Sequence, residues 1–170
     1  MNTLLRNVFL AFFATHIPIT LLIDGQALLP FLYPSFLRDL SVTYTTTFND
    51  TLMSNPPSWL KSLIAAELLF QVPFFFVALK AFATRDNSIQ PYATAYAAHT
   101  VTTLIPILHH FHVDENVTTS EEAVLLGFYL PYLLIPGLLL LLCLRGPLFE
   151  EAETETFGIS RQHATVGKAK

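Results

Sequence analysis

Charge is scarce in this chain. Asp, Glu, Lys and Arg together make up only 13% of its 170 residues, whereas soluble domains carry about a quarter. Hydrophobic residues make up 52%, with 15 phenylalanines, and the mean hydropathy is +0.49. That balance points to a membrane protein of one domain. Cysteine is nearly absent too: Cys143 stands alone. It can close no intrachain disulfide and says nothing about redox compartment. A surplus of basic residues is also missing. The net charge of −4 offers nothing to a nucleic-acid backbone, so no nucleic-acid partner is expected. There is no internal repeat. No paired cysteine or histidine spacing supports zinc, and His109 and His110 point to different helix faces, so neither metal nor cofactor is expected.

What is present is long apolar runs. A bilayer core of about 30 Å needs roughly 20 apolar helical residues. Four segments approach that: 7–24, 63–83, 91–111 and 123–144. Lipid offers the backbone no hydrogen bonds, so each must be a helix. The expected fold is an all-α, four-transmembrane-helix bundle with an intramembrane ligand cavity. Residues 1–148 form the membrane domain, and 149–170 a polar, disordered cytosolic tail. The first run is not expected to be cleaved. His16 and Pro18 interrupt it, and no A-x-A-like site follows.

Among the connections, 25–62 is long and rich in proline, aromatic and apolar residues, and is expected to form a lid or short helices at the membrane face. Residues 84–90 are short and carry no docking motif. Residues 112–122 are acidic. Seven basic residues (Arg6, Lys80, Arg85, Arg145, Arg161, Lys168, Lys170) fall on the side of the termini, against Arg38 and Lys61 on the other. The positive-inside rule then puts both ends in the cytosol. Two N-x-T triplets, at Asn49 and Asn116, fall on the opposite, lumenal side and agree with that topology.

Each run carries one polar stripe at helical spacing. His16, Thr20 and Asp24 recur every fourth residue. Glu67 and Gln71 share a face. Tyr92, Tyr96, His99, Thr103 and His110 follow steps of three, four or seven. Tyr129 and Tyr132 continue to Pro136. Intramembrane polar groups turn inward, so the stripes should converge on one cavity.

Asp24 and Glu67 are the telling pair. Two carboxylates in a low-dielectric site cannot both ionise cheaply, so one is expected to hold a proton. About one negative charge among aromatic rings suits an amine with an apolar body. The alternatives are an Asp24 in water at a helix end and a Glu67 paired with Lys61. The matching stripes of Gln71, His99, Thr103 and the tyrosines favour the shared site. His16 and His99 read as hydrogen-bonding core groups or, in an enzyme, proton carriers. Pro18, Pro73, Pro106 and Pro136 read as tolerated kinks that free carbonyls.

The same residues carry a resemblance. His16-Ile17-Pro18-Ile19-Thr20 with Asp24, Pro56-Pro57-x-Trp59-x-Lys61-Ser62, Glu67-Leu68-x-Phe70-Gln71-x-Pro73-Phe74-Phe75, Thr102-Thr103-Leu104-Ile105-Pro106 and Pro131-Tyr132-Leu133-Leu134-Ile135-Pro136 resemble the EXPERA-domain family, in its sigma-two receptor branch. The match covers about residues 8–148. It implies a four-helix bundle in the endoplasmic reticulum membrane, a tendency to homodimerise, and a cavity that takes sterols or cationic amphiphiles. It implies that Asp24 holds the amine, that Glu67 hydrogen-bonds Asp24, that Asp50 supports the site, and that Gln71, Thr103 and Tyr132 line it. His16, Tyr96 and His99 complete the expected ligand-binding set. Fungal-type relatives imply a role in targeting mitochondrial precursors.

The family also contains a sterol Δ8–Δ7 isomerase, whose carbocation site would likewise bind amines. An isomerase-like enzyme using Asp24, Glu67 and His99 is therefore the alternative, although the blocks match the receptor branch and no catalytic residue is assigned. The chain departs from the branch at Thr51, which replaces proline and creates the first sequon. Its third loop is shorter and acidic, and its GKAK end is not strongly basic.

Overall fold

The computed structural model describes residues 1–150, so the expected tail falls outside the described residues except for its first two positions. Among the described residues every regular element is helical. Helix α1 spans Thr3–Leu22, α2 Ser35–Phe48, α3 Thr51–Ser54, α4 Ser58–Ala66, α5 Val72–Thr84, α6 Gln90–Val113 and α7 Thr119–Arg145. A π-helical turn, Glu67–Gln71, joins α4 to α5. The two form one rod of 27 residues.

Local chemistry sets the boundaries. The Asn2 side chain accepts from the Leu5 amide and starts α1. Thr118 and Glu121 form a reciprocal capping box on α7. Arg85, in the left-handed region at φ 58°, ends α5.

Three stretches are long and apolar enough to cross a membrane: Thr3–Ala27, Ser58–Thr84 and Thr119–Arg145. Helix α6, the third expected crossing, has 24 residues but falls short in hydropathy. Its threonines, its histidines and Gln90 dilute the apolar content. It packs mainly against α7, as α1 does against α5. Its polar groups are therefore largely turned toward the protein, with several threonine hydroxyls returned to backbone carbonyls one turn earlier.

The interior has two centres. At the end nearer the termini, Phe9, Phe13, Phe75, Phe82, Tyr96 and Leu139 form an aromatic core. It continues to Phe149, which is buried edge-on against Phe82 and whose backbone N–H and carbonyl are both paired with the Asn87 side-chain amide. At the other end, Leu52, Leu60, Ile64, Ile107, Phe111 and Leu125 pack together. A cavity lies between them.

The long first loop is ordered by a clasp. Thr51 Oγ1 donates to Asp114 Oδ2 at 2.7 Å, His110 Nε2 lies 3.3 Å from the same oxygen, and the Asn49 amide donates to the Asn116 carbonyl at 2.8 Å. Donation from the Asn116 backbone, and then from Thr51, lowers the Asp114 carboxyl from 3.8 to about 2. A depressed carboxyl stabilises the fold above its ordinary value and loses that contribution as pH falls through the folded one. The stability advantage of the wild-type protein over Asp114→Asn should thus be constant near neutrality. It should shrink between about pH 4 and pH 2, measured as paired thermal melts. An advantage that holds steady down to pH 2 would remove Asp114 from the clasp.

Candidate functional site

The cavity has a volume of about 450 Å³ and is bounded by α1, α2, the α4–α5 rod, α6 and α7. Its polar lining is His16, Asp24, Ser41, Tyr44, Glu67, Gln71, Thr100, Thr103, Tyr129 and Tyr132. Apolar residues, among them Ile19, Ile23, Leu63, Leu104 and Phe128, supply the remaining wall. The site is apolar with a few convergent polar groups, as small-molecule sites usually are.

Asp24 opens a 3-10 turn, Asp24–Ala27, immediately after α1. This turn is held tightly. The Tyr33 hydroxyl donates to the Leu21 carbonyl at 2.6 Å, and the Gln26 amide donates to the carbonyls of Leu22 and Leu37. The two α1 carbonyls are among those a helix end leaves without intrahelical partners. Gly25 permits the approach of Tyr33, because a Cβ there would run into the tyrosine hydroxyl. Asp24 itself lines the cavity, and its side chain makes no hydrogen bond with the other described residues.

Glu67 begins the π turn, where the Val72 amide reaches back five residues to the Glu67 carbonyl. Pro73 follows and supplies no N–H. The pair leaves backbone acceptors without their regular donors on a wide turn, a device common at functional sites. The Glu67 carboxylate accepts from Thr20 Oγ1 at 2.7 Å and lies 3.2 Å from His16 Nε2. Among the described residues it pairs neither with Lys61 nor directly with Asp24; its partners lie on α1. His16 is fixed between the rings of Phe75 and Tyr132, with centroid distances of 4.7 Å to each, and its buried Nδ1 has no partner among the described residues. On the next wall, Thr100 Oγ1 meets the Gln71 side-chain oxygen at 3.2 Å.

Asp50 lies behind the lining. It is fully buried and caps α3 through the Met53 amide. Its Oδ2 accepts from Tyr44 at 3.1 Å and from Tyr129 at 2.8 Å, and both tyrosines line the cavity. Burial and the adjacent Asp50 charge push the Tyr44 hydroxyl well above its ordinary range, so it remains a donor.

Of the expected ligand-binding residues, His16, Asp24, Glu67, Gln71, Thr103 and Tyr132 share the cavity. Tyr96 and His99 are not part of its lining. Thr100, Thr103, Leu104 and Ile107 set the cavity-facing direction of α6, and at about 100° per residue His99 falls roughly a quarter turn away from it. Tyr96 shares that direction but lies one turn lower, stacked on Phe74 in the aromatic core. Its hydroxyl and His99 Nε2 are both buried and have no partner among the described residues.

Thr20, Thr100, Tyr44 and Tyr129 were not among the expected site residues. Thr20 and Tyr129 carry a signal, since each lies on the same helical stripe as expected site residues. Thr100 and Tyr44 carry none strong enough to distinguish them from neighbouring threonines or from an aromatic loop.

Comparison with known proteins adds to this geometry. Residues 36–143 match the family model described as EXPERA, the expanded EBP superfamily. The chain is 43% identical over 160 residues to "Sigma intracellular receptor 2" of Xenopus tropicalis, covering 88% of this chain and 94% of that protein. It is 42% identical over 155 residues to the protein of the same name in Homo sapiens, covering 84% and 88%. "Efficient mitochondria targeting-associated protein 19" of Saccharomyces cerevisiae is 26% identical over 148 residues, covering 77% and 92%.

Proposed function

The chain belongs to the EXPERA family, and from that premise we propose that it holds a sterol or a sterol-like cationic amphiphile in its helix bundle. The observation that carries this reading is that Asp24 and Glu67 line one cavity, whose wall is otherwise built of aromatic and aliphatic side chains with a few uncharged polar groups and His16. Acidic oxygens in a largely apolar chamber match a molecule with a cationic head and a rigid hydrocarbon body. The rings of Tyr44, Phe128, Tyr129 and Tyr132 can add cation–π attraction to the charge.

In this proposal all four long helices cross the bilayer, with α6 as the crossing shielded by its neighbours. Both termini face the cytosol, by the distribution of basic residues. Residues 1–148 act as the membrane domain and 149–170 as a cytosolic tail. The protein resides in the endoplasmic reticulum, forms homodimers and takes part in sterol handling. A role in targeting mitochondrial precursors rests on the name of the yeast relative alone.

Asp24 is the amine anchor, because no hydrogen bond with the described residues competes for it. Glu67 is a supporting group, engaged with Thr20 and His16. Radioligand binding of a cationic amphiphile to the purified protein tests the assignment. Glu67→Gln retains an acceptor for Thr20 and should weaken binding about tenfold or less, within ~1.4 kcal/mol. A loss as great as that of Asp24→Asn would show that both charges hold the amine.

One observation supports a second reading. The His16–Glu67 contact on the cavity wall is an acid–base pair within reach of a bound ring system. An isomerase-like enzyme would use such a pair to move a proton between ring carbons. Incubation with a Δ8-sterol separates the two readings: the binding reading expects no Δ7 product, and turnover above background would replace it.

A further inference from the structure

Helix α2 carries an apolar surface beyond the face that packs on the bundle. Leu37, Ser41, Tyr44 and Phe48 face the bundle, where Tyr44 and Phe48 pack edge-on against Phe128 of α7. About a quarter turn round the helix, Phe36 and Leu40 project outward, 66% and 53% exposed. Phe31 and Leu32, in the preceding 3-10 turn, are 74% and 65% exposed. Exposed Thr43 and Thr47 lie beside them, and the remaining face carries Arg38, Asp39, Val42 and Thr46. The apolar sector of α2 is therefore wider than the bundle covers.

Two observations name what covers the rest. The first is continuity. Gln26 ties the Leu22 carbonyl at the end of α1 to the Leu37 carbonyl in α2. The exposed apolar overhang thus adjoins Leu21 and Leu22, the outward side chains of a membrane-crossing stretch. The second is depth. Helix α7 has 27 residues, about 40 Å at 1.5 Å per residue, roughly 10 Å more than a bilayer core. Phe128 lies nine residues beyond Thr119, about 13 Å along that axis. Even with all the excess length at this end, the α2 contact falls at or just inside the hydrocarbon boundary.

We infer that α2 and the turn before it form an interfacial amphipathic helix, with Phe31, Leu32, Phe36 and Leu40 inserted among the lipids of the leaflet on that side. Leu40 also lines the cavity. The lipid-contacting helix is thus also part of the cavity wall. The inference concerns the lipid contact of α2 and stands whichever ligand the cavity takes. Arg38 and Asp39 cancel in charge, so apolar burial rather than anionic headgroups holds the helix down.

The test uses the full chain in phosphatidylcholine vesicles. The single tryptophan is removed by Trp59→Phe, and Phe36→Trp or Val42→Trp supplies the reporter. Val42 is exposed on the polar side of the same helix. Lipids bearing a nitroxide at a shallow acyl position should quench Phe36→Trp at least about threefold more than Val42→Trp. Phe31→Trp should behave as Phe36→Trp does and provides a second reporter if the first fails to fold. Equal, weak quenching at all three positions overturns the inference. So does quenching that strengthens when half the phosphatidylcholine is replaced by phosphatidylglycerol, because charge would then hold the helix. Efficient disulfide dimers of Phe36→Cys in a Cys143→Ser background, with Phe36→Trp unquenched, overturn it in favour of a second copy of the chain.

Discussion

Asp24→Asn should lower the affinity for a cationic amphiphile by about a hundredfold or more while leaving the fold intact. Removing one member of a desolvated ion pair typically costs ~3–5 kcal/mol, and each 1.4 kcal/mol is about tenfold in affinity. The fold should survive because the Asp24 side chain forms no hydrogen bond with other described residues. Its turn is held instead by Tyr33, Gln26 and the space at Gly25. The expected result is thus a split: amine affinity collapses in the radioligand assay, thermal stability in detergent changes little, and a neutral sterol still binds. Unchanged amine affinity would mean that another group, Glu67 first, holds the charge. A parallel fall in stability would mean that Asp24 is structural.

Asp50→Ala should give the opposite pattern, a large loss of stability with binding lost as a consequence. This carboxylate is fully buried and accepts three hydrogen bonds, from the Met53 amide, Tyr44 and Tyr129. Alanine removes the cap of α3, worth about 1 kcal/mol. It also leaves two half-buried hydroxyls without their acceptor, at about 1 kcal/mol or more each. The sum is about 3 kcal/mol or more, a large part of the stability of an ordinary domain. Asp50→Asn keeps one acceptor oxygen for the cap and should lie between the two. The measurement is the melting temperature in detergent, with amine binding recorded well below it. If Asp50→Ala melts as the wild type does yet binds no amine, Asp50 acts on the ligand rather than on the lining.

These two carboxylates differ in how visible they are in the sequence. Asp24 and Glu67 stand out because a carboxylate in an apolar run is costly and must be accommodated. The stripe His16, Thr20, Asp24 already gave the face of α1 that meets Glu67. Asp50 has no such context. It lies in a polar stretch between two sequon residues, and only the resemblance to a family drew attention to it. Its partners Tyr44 and Tyr129 are six and 79 residues away along the chain, a separation that no local pattern encodes.

The π turn shows a second kind of limit. Pro73 after Gln71 signals a disturbed helix, because proline removes a donor. The choice between a kink, a break and a widened turn depends on what the neighbouring helices can fill. The α6 stripe shows a third. A step of three or four residues identifies a shared face, but Tyr96, His99 and Thr103 satisfy such steps while only Thr103 reaches the cavity. Depth along the helix and a quarter turn of rotation separate them.

The sequence by itself determined that this is a helical membrane protein with carboxylates placed inside it. Lipid forbids unpaired backbone and makes buried charge expensive, and both constraints act residue by residue on a local run. Tertiary structure alone decided which polar groups meet. It turned Glu67 to Thr20 and His16, gave Asp50 to two tyrosines and folded α2 against α7 as part of the cavity wall. Such choices are made by side chains far apart in the chain competing for the same few donors and the same small volume.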